Sequence, residues 1–254
     1  MAAAKKSIGT VDVVEFATET LTFHILGRTP FICNRMSEKA KNQLLLPSGR
    51  KTAAEKKTSI KHDPVAEFRA SPYTLPEGPA LIGHLATAFK AAIRGAGVDV
   101  PGTTKAQLGR MLYVEGEKIA IYGVPKLFMS VTRSADINKT PDIRTRAILP
   151  EWACSIKVTF VRPYLGHRVV ANLLQAAGLI QGVGDWRPEK GSGNYGQFRI
   201  CDIDDPDYLR IMETGGREAQ EAAMLAATPY DGDTQDLMDW FTSEAAERNI
   251  KLTA

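Results

Sequence analysis

The chain has few of the features by which common classes of site are recognised. Its three cysteines, Cys33, Cys154 and Cys201, are odd in number and widely spaced, which indicates reduced, buried thiols and argues against a disulfide framework or a zinc site. The four histidines show no metal-ligand spacing. No apolar run approaches the roughly 20 residues of a membrane-spanning helix, and the first residues have no apolar signal core. We therefore expect a cytoplasmic protein with no metal and no cofactor.

A glycine-dense stretch at residues 178–200 is the most informative part of the sequence. A helical run predicted to end at Gly178 leads into a loop, and alternation from Tyr195 to Ile200 predicts a strand. Glycines let the loop backbone approach a phosphate or another chain, and aromatic and basic side chains supply stacking faces and charge. The loop lacks the Gly-Lys-Ser/Thr element of nucleotide-phosphate loops. A long connection beside a helix would also explain it. The loop contains Gly182, Gly184, Gly191, Gly193 and Gly196, together with Trp186, Arg187, Lys190 and Tyr195.

The net charge of +3 conceals an asymmetry along the chain. Residues 201–254 contain four basic and 13 acidic residues, a net charge of −9, so residues 1–200 carry +12. A basic body predicts a polyanionic partner, and the acidic segment predicts either competition for that partner or docking on a neighbouring protomer. Ordinary solvated surface is the alternative interpretation of both.

Two further segments add to the positive charge. Residues 28–69 form a long polar stretch with ten basic and four acidic residues. Such a basic loop is typical of contact with a nucleic-acid backbone, although a disordered insertion would have the same composition. Residues 81–94 have apolar residues at helical spacing, which predicts a helix with Lys90 and Arg94 on one face. These two side chains either contact phosphate or favour the negative end of the helix.

The order of predicted elements indicates the fold class. The chain begins with a strand from about Glu19, followed by the helix at residues 81–94 and strands within 111–131. An alternating strand at 153–160, a second helix and a last strand come next. This order predicts an α+β protein with a ferredoxin-like or RRM-like (split βαβ) core, whose antiparallel sheet commonly binds nucleic acid. We expect one domain over residues 1–200, with insertions at about 34–74 and 132–146. The second insertion reads as an irregular polar segment, and residues 201–254 as an acidic helical extension.

Three segments, occurring in the same order, resemble the RAMP superfamily, and more closely its CRISPR backbone subunits, the Cas7-like proteins. They are the opening strand with its exit at residues 27–35, the basic helix with its approach at residues 75–94, and the glycine-rich loop and strand at residues 182–198. The loop is also similar to the Gly-Val-Gly-Asp-Trp-Arg-Pro-Glu-Lys-Gly-Gly type of signature in small phage-encoded Cas7-like proteins. The resemblance covers about residues 20–200 and leaves the acidic extension outside it.

The resemblance implies a sequence-independent, non-catalytic protein that assembles into a helical homo-oligomer along a single strand of DNA or RNA. Residues 133–146 would form a protruding thumb. No catalytic centre carries over, since Asp63 is the only aspartate in the first insertion and has the context of a helix cap. Charge pattern and resemblance together give these candidate nucleic-acid-binding residues: Arg28, Asn34, Arg35, Lys39, Lys41, Lys90, Arg94, Arg133, Arg144, Arg146, Trp186, Arg187, Lys190 and Tyr195.

Two other functions remain open at this point. One is an endoribonuclease of the RAMP type, which would need a general base such as His24, His84 or His167. The other is an assembly or inhibitor subunit that binds a protein complex, in which the basic insertion and the glycine-rich loop form a protein interface. The sequence predicts no pairing of two histidines, and fold class by itself does not decide between these functions.

Overall fold

The structure, a computed structural model, describes residues 15–36, 41, 45, 61–99, 102, 104–133, 141–191, 193–248, 250 and 252. Within these ranges the chain forms seven α-helices and ten β-strands, an α+β arrangement with antiparallel sheets. The helices are α1 (Pro64–Ala70), α2 (Ala86–Ala96), α3 (Lys105–Met111), α4 (His167–Ala176), α5 (Pro206–Thr214), α6 (Arg217–Ala226) and α7 (Gly232–Glu247). The strands are β1 (Ala17–Gly27), β2 (Phe31–Ile32), β3 (Tyr73–Thr74), β4 (Ile82–Leu85), β5 (Leu112–Val114), β6 (Lys118–Ala120), β7 (Lys126–Arg133), β8 (Pro141–Leu149), β9 (Ala153–Arg162) and β10 (Phe198–Cys201).

The main sheet has the strand order β10-β1-β9-β5, and every neighbouring pair is antiparallel. Strands β1 and β9 pair over most of their length, from Ala17 opposite Arg162 to Leu26 opposite Ala153. The predicted alternation in β9 is confirmed: Cys154, Ile156, Val158 and Phe160 are buried, while Ser155 and Lys157 are exposed. Ala153 and Thr159, which lie on the same side as Ser155 and Lys157, depart from this pattern and are buried. The hydroxyl of Thr159 is hydrogen-bonded to that of Thr20 and to the carboxylate of Glu115.

Two smaller sheets flank the main one, with orders β2-β8-β7 and β3-β4-β6. The prediction of an irregular segment at residues 132–146 was wrong for the part that the structure describes, because Pro141–Leu149 is strand β8, paired along its length with β7. Thr145 and Ala147 turn inward and are small, whereas Arg144 and Arg146 alternate with them. The strand therefore lacks the bulky apolar alternation that identifies strands in a sequence. Residues 134–140 lie outside the described ranges.

Both predicted helices of the core have different ends from those expected. Residues 82–85 form strand β4 between β3 and β6, so α2 begins at Ala86 and not at residue 81. Helix α4 does not stop at Gly178 but continues as a π-helix, Ala177–Gln181, which ends at Gly182. A Cβ on Gly178 would collide with the carbonyl oxygen of Phe198. Gly178 therefore serves close packing of the helix on β10 rather than helix termination.

The acidic C-terminal segment packs directly on the rest of the chain. Helix α5 contacts β1 and β9, and α7 contacts β7. The hydroxyl of the buried Thr234 in α7 accepts the backbone N–H of Met129 at 3.3 Å. The division into residues 1–200 and 201–254 stays a prediction.

The described part of the chain contains no helix that is long and apolar enough to cross a membrane. Over the same residues there is no group of three or more His, Cys, Asp or Glu side chains able to hold a metal ion. All three cysteines are free and buried, and burial raises the pKa of the Cys33 thiol to about 12.

Candidate nucleic-acid interface

The glycine-rich loop is joined to the turn between β1 and β2 by backbone hydrogen bonds. The N–H of Arg28 donates to the carbonyl oxygen of Gln197 at 2.8 Å, and the N–H of Gly196 donates to that of Pro30, also at 2.8 Å. Further along, the N–H of Asp185 donates to the carbonyl oxygen of Ile32 at 3.0 Å. These bonds hold two parts of the chain that are more than 150 residues apart side by side. The predicted basic residues near Arg28 and those of the loop therefore share one region.

The aromatic side chains of the loop pack against each other and against β7. The rings of Trp186 and Tyr195 are stacked, with centroids 6.1 Å apart and an interplanar angle of 17°. Phe128 of β7 contacts both rings at 6.4 and 6.2 Å, and Tyr230 lies 5.7 Å from Phe128. Burial raises the pKa of Tyr195. Both predicted stacking residues are thus half-buried in an internal aromatic cluster, which leaves only part of each ring for a base.

Asp185 of the loop brings two arginines of strand β8 to the same place. Its Oδ2 lies 3.8 Å from Nη1 of Arg144 and 3.8 Å from Nε of Arg146. The Arg144 side chain is 51% exposed, so this pair is weak and the guanidinium faces solvent. Arg146 is only 16% exposed, and burial lowers the pKa of its guanidinium while Asp185 opposes that change. The two arginines border a shallow depression together with Ile32, Ser130 and Trp186.

A deeper cleft of about 270 Å³ lies on the other side of the loop. It is bordered by Asn34 after β2, by His84 at the end of β4 and by the first turn of α2. Arg187 borders the loop side, where its Nη1 donates to the carbonyl oxygen of Gly184 at 2.9 Å and its Nη2 lies 2.6 Å from Oε2 of Glu189. Two residues of the predicted set, Asn34 and Arg187, therefore meet in one cavity.

The other predicted residues are distributed more widely. Lys190 is 59% exposed and follows Glu189 on a short 3₁₀ turn, Pro188–Lys190. Arg94 lies against α3, because its Cδ is 3.2 Å from the position that a Cβ on Gly109 would take. It therefore does not border the cleft. The remaining positions are these: Arg28 is exposed, while Arg35, Lys41 and Lys90 are half-buried. Lys39 and the side chain of Arg133 lie outside what the structure describes.

Sequence reasoning missed the acidic members of this region. Asp185 pairs with Arg144 and Glu189 pairs with Arg187, and neither acidic residue was among the candidate residues. The position of Glu189 two residues after Arg187 was a signal present in the sequence, whereas no local spacing indicates that Asp185 pairs with arginines of β8. His84, one of the three histidines considered as a general base, is buried, at 2% exposure. Its position beside Asn34 and Arg187 depends on contacts between distant segments.

Comparison with known proteins gives a distant structural likeness. No protein-family model and no curated protein matches the chain. Among solved structures, the chain is similar to the crystal structure of Cmr6 from Pyrococcus furiosus, with 9% sequence identity and a TM-score of 0.38. The match covers 73% of this chain and 98% of that one. Likeness at this level indicates neither an activity nor a partner.

Proposed function

We propose that the protein is a sequence-independent, non-catalytic single-stranded nucleic-acid-binding protein. The observation that supports this proposal is the convergence around one glycine-rich loop of basic side chains from three distant segments. Arg28 comes from the turn after β1, Arg144 from β8, and Arg187 and Lys190 from the loop. Exposed arginines and lysines neutralise phosphates without reading bases. The interface would therefore bind many sequences with similar affinity.

The proposal includes the finer fold class. In chain order, the four strands of the main sheet are β1, β5, β9 and β10, with α2 before β5 and α4 before β10. Numbered one to four, they lie in the order 4-1-3-2. That order, with two helices at these points, supports a split βαβ core of the ferredoxin-like or RRM-like type. It also agrees with the proposed relation to the RAMP superfamily and its Cas7-like branch.

A non-catalytic role fits the environment of the histidines proposed as general bases. Nδ1 of His24, near the end of β1, lies 3.0 Å from the hydroxyl of Tyr208. His167 pairs with Glu19, which is near the start of β1. His84 is buried on β4. Asp63 caps helix α1, where its Oδ1 accepts the backbone N–H of Ala66 at 3.0 Å. His24, His167 and Asp63 therefore each have a structural contact, and none of the three histidines is paired with a second histidine.

Self-association into a helical homo-oligomer along the strand is part of the proposal, as is a cytoplasmic location. The acidic segment is proposed to dock on a neighbouring protomer. Helix α7 supports this idea because it carries Asp236 and Asp239 on its exposed surface beside Trp240, which is 60% exposed. Tryptophan is enriched in contact surfaces, and the carboxylates beside it complement the basic body of a neighbouring protomer. The same feature favours the second candidate function, a subunit that binds a protein complex.

The test is fluorescence anisotropy of labelled single-stranded DNA and RNA of equal sequence, measured over a range of salt concentrations. We expect tight binding to at least one of them, with log K falling linearly against log salt by about 0.7 for each phosphate contacted. Arg144→Gln and Arg28→Gln should each weaken binding and each reduce that slope by about 0.7. The matched control is Arg210→Gln, an exposed arginine of the acidic segment that pairs with Glu151.

The outcomes separate the two candidate functions. If folded protein, free of co-purified nucleic acid, binds neither the DNA nor the RNA at low salt, the proposal of nucleic-acid binding is wrong. The protein-binding function is then favoured. If binding occurs but Arg144→Gln and Arg210→Gln weaken it equally, the interface lies elsewhere on the molecule. Cleavage of the labelled RNA on long incubation would contradict the non-catalytic role.

A further inference from the structure

A histidine outside the proposed interface lies between two carboxylates from different elements. Nδ1 of His62 is 2.7 Å from Oε1 of Glu67 on α1, and its Nε2 is 2.9 Å from Oδ1 of Asp142 on β8. The His62 side chain is only 15% exposed. Carboxylates accept hydrogen bonds and do not donate them, so the two contacts together need a proton on each ring nitrogen. The arrangement therefore stabilises the charged imidazolium.

The other charged groups on the same segment of the chain have partners of their own. Nζ of Lys61 also lies 2.6 Å from Oδ1 of Asp142, but the Lys61 side chain is 65% exposed, so this pair is weak. Asp63 caps α1, and Arg69 donates to two carbonyl oxygens of α6. Of Lys61 and His62, the imidazolium is better shielded from solvent and therefore has the larger effect on Asp142.

The carboxylates that contact this imidazole also lie close to the arginines of the interface. Side chains of alternate residues project on the same side of a strand, so Asp142, Arg144 and Arg146 share one side of β8. Asp185 pairs with both arginines, each at 3.8 Å. Burial lowers the pKa of Arg146, and the negative charges of Asp185 and Glu67 oppose that change. This side of β8 therefore carries alternating charges that extend to Arg144, which is 51% exposed.

We infer that His62 is a pH-sensitive switch of nucleic-acid binding, whose charged form withholds two carboxylates from the arginines of the interface; this inference rests on the proposed function. The neutral imidazole has a single N–H, so either Asp142 or Glu67 loses its donor. The released carboxylate then competes with a phosphate for the neighbouring arginine. The hydrogen bond to Glu67 raises the pKa of His62 above 6.5, although burial opposes it. Affinity for a single strand therefore falls as pH rises through this raised pKa.

The first experiment measures the Kd of labelled oligoadenylate, as DNA and as RNA, by fluorescence anisotropy at about pH 6 and about pH 9, at equal ionic strength. We expect the wild-type Kd to be about two- to fivefold higher at the higher pH, the range for a partly exposed ion pair. His62→Gln is neutral at both values and should give the weaker Kd at each. The matched control, His167→Gln, changes an exposed histidine of α4 and should keep the pH dependence. A pH dependence that persists in His62→Gln would overturn the inference.

A second variant tests the direction of the effect and keeps the inference testable if His62→Gln does not fold. Asp142→Asn removes the carboxylate that competes for Arg144, so at about pH 9 it should bind more tightly than the wild type, by about two- to fivefold. At about pH 6 it should bind at least as tightly as the wild type. Structural damage from breaking the cluster would instead weaken binding in both variants at both pH values, and that result would contradict the switch.

A measurement without nucleic acid separates this inference from the proposed function. Carbon NMR of the free protein follows the His62 imidazole and Cζ of the Arg144 guanidinium from about pH 5 to about pH 9. We expect the Arg144 signal to shift with the midpoint of His62 and to stay constant in His62→Gln. Such a shift without any oligonucleotide binding refutes the proposed function, while the link between His62 and Arg144 stands. Oligonucleotide binding with a constant Arg144 signal in the wild type overturns the inference and leaves the proposed function intact.

Discussion

The side-chain oxygen of Gln220 accepts the backbone N–H of Ile82 at 2.9 Å, across a separation of 138 residues. Gln220 lies on α6 in the acidic segment and is fully buried, while Ile82 begins the strand that leads into His84 and α2. The two N–H groups of the Gln220 amide are shared among three carbonyl oxygens at 2.8 to 3.1 Å. This one side chain therefore joins the C-terminal segment to the strand on which the cleft is built. Its backbone partners are Leu81, Ile82, Ile121, Gly123 and Gly215.

Replacing Gln220 by alanine should lower the free energy of unfolding by about 3 kcal/mol or more. The reason is that several buried backbone groups lose their partners at once, and each unsatisfied group costs about 1–3 kcal/mol. Urea titration monitored by circular dichroism gives the value. Gln235→Ala on α7 is the matched control, because that side chain is exposed, and it should change the free energy by no more than about 0.5 kcal/mol. Equal effects of the two substitutions would refute the structural role of Gln220.

The stability of the contact between α1 and β8 should decrease as pH rises. Nδ1 of His62 lies 2.7 Å from Oε1 of Glu67, and Nε2 lies 2.9 Å from Oδ1 of Asp142. Carboxylates only accept hydrogen bonds, so both ring nitrogens donate, which is the state of the charged imidazolium. These contacts, with the bond to Glu67 the largest, raise the pKa of His62 above its ordinary 6.5 although burial opposes them. The stabilisation is complete below 6.5 and is lost as pH rises through the raised pKa.

The measurement is the difference in free energy of unfolding between the wild type and His62→Gln, at about pH 6 and about pH 9. We expect a larger difference at the lower pH. Glu67→Gln removes the main hydrogen-bond partner of His62. In this background, the difference in free energy of unfolding caused by His62→Gln should depend less on pH. A difference that is constant across the two pH values would mean that His62 does not titrate in this contact.

Alanine at Gly196 should disrupt the glycine-rich loop. The residue has φ of +69°, and a Cβ there would overlap the carbonyl oxygen of Val183. Left-handed backbone and a displaced neighbour together cost about 2 kcal/mol or more. Differential scanning calorimetry should show the loss of stability, and the affinity for single-stranded nucleic acid should fall with it. Gly232→Ala is the matched control, since nothing lies within 4 Å of a Cβ there. If Gly196→Ala has the stability of the Gly232→Ala variant, the described loop conformation is wrong.

Trp186→Ala distinguishes an internal packing role from base stacking. Because the half-buried ring packs on Tyr195 and Phe128, we expect a loss of about 2 kcal/mol in the free energy of unfolding, below the 3–5 kcal/mol of a fully buried tryptophan. Trp240→Ala, on the exposed side of α7, should change stability by about 0.5 kcal/mol or less. Unchanged stability with lost strand affinity in Trp186→Ala would instead assign this ring to a bound base.

Local signals in the sequence predicted several features correctly. The alternation in β9 identified its buried side, because a strand with one buried face repeats every two residues. Asp63 before Pro64 identified the start of α1, since an aspartate cap followed by proline is favourable within four residues of chain. The density of glycine at residues 182–196 predicted an unusual loop, and four of these glycines, Gly182, Gly184, Gly191 and Gly196, have positive φ. Each of these depends on interactions between neighbours in the chain.

Tertiary structure decided what depends on distant partners. Strand β8 exists because β7 supplies its hydrogen bonds, although its own residues alternate weakly. The interruption of the predicted helix by β4 follows from pairing with β3 and β6. His84 acquires an unpartnered nitrogen, and Arg187 a place beside it, only when the loop folds against Ile32 and α2. The sequence by itself therefore determined the local features named above and the positive charge of residues 1–200. Packing between segments more than 100 residues apart determined which side chains enclose the cleft. The reason is that the burial and the hydrogen-bond partners of a side chain depend on distant segments as well as on its neighbours in the sequence.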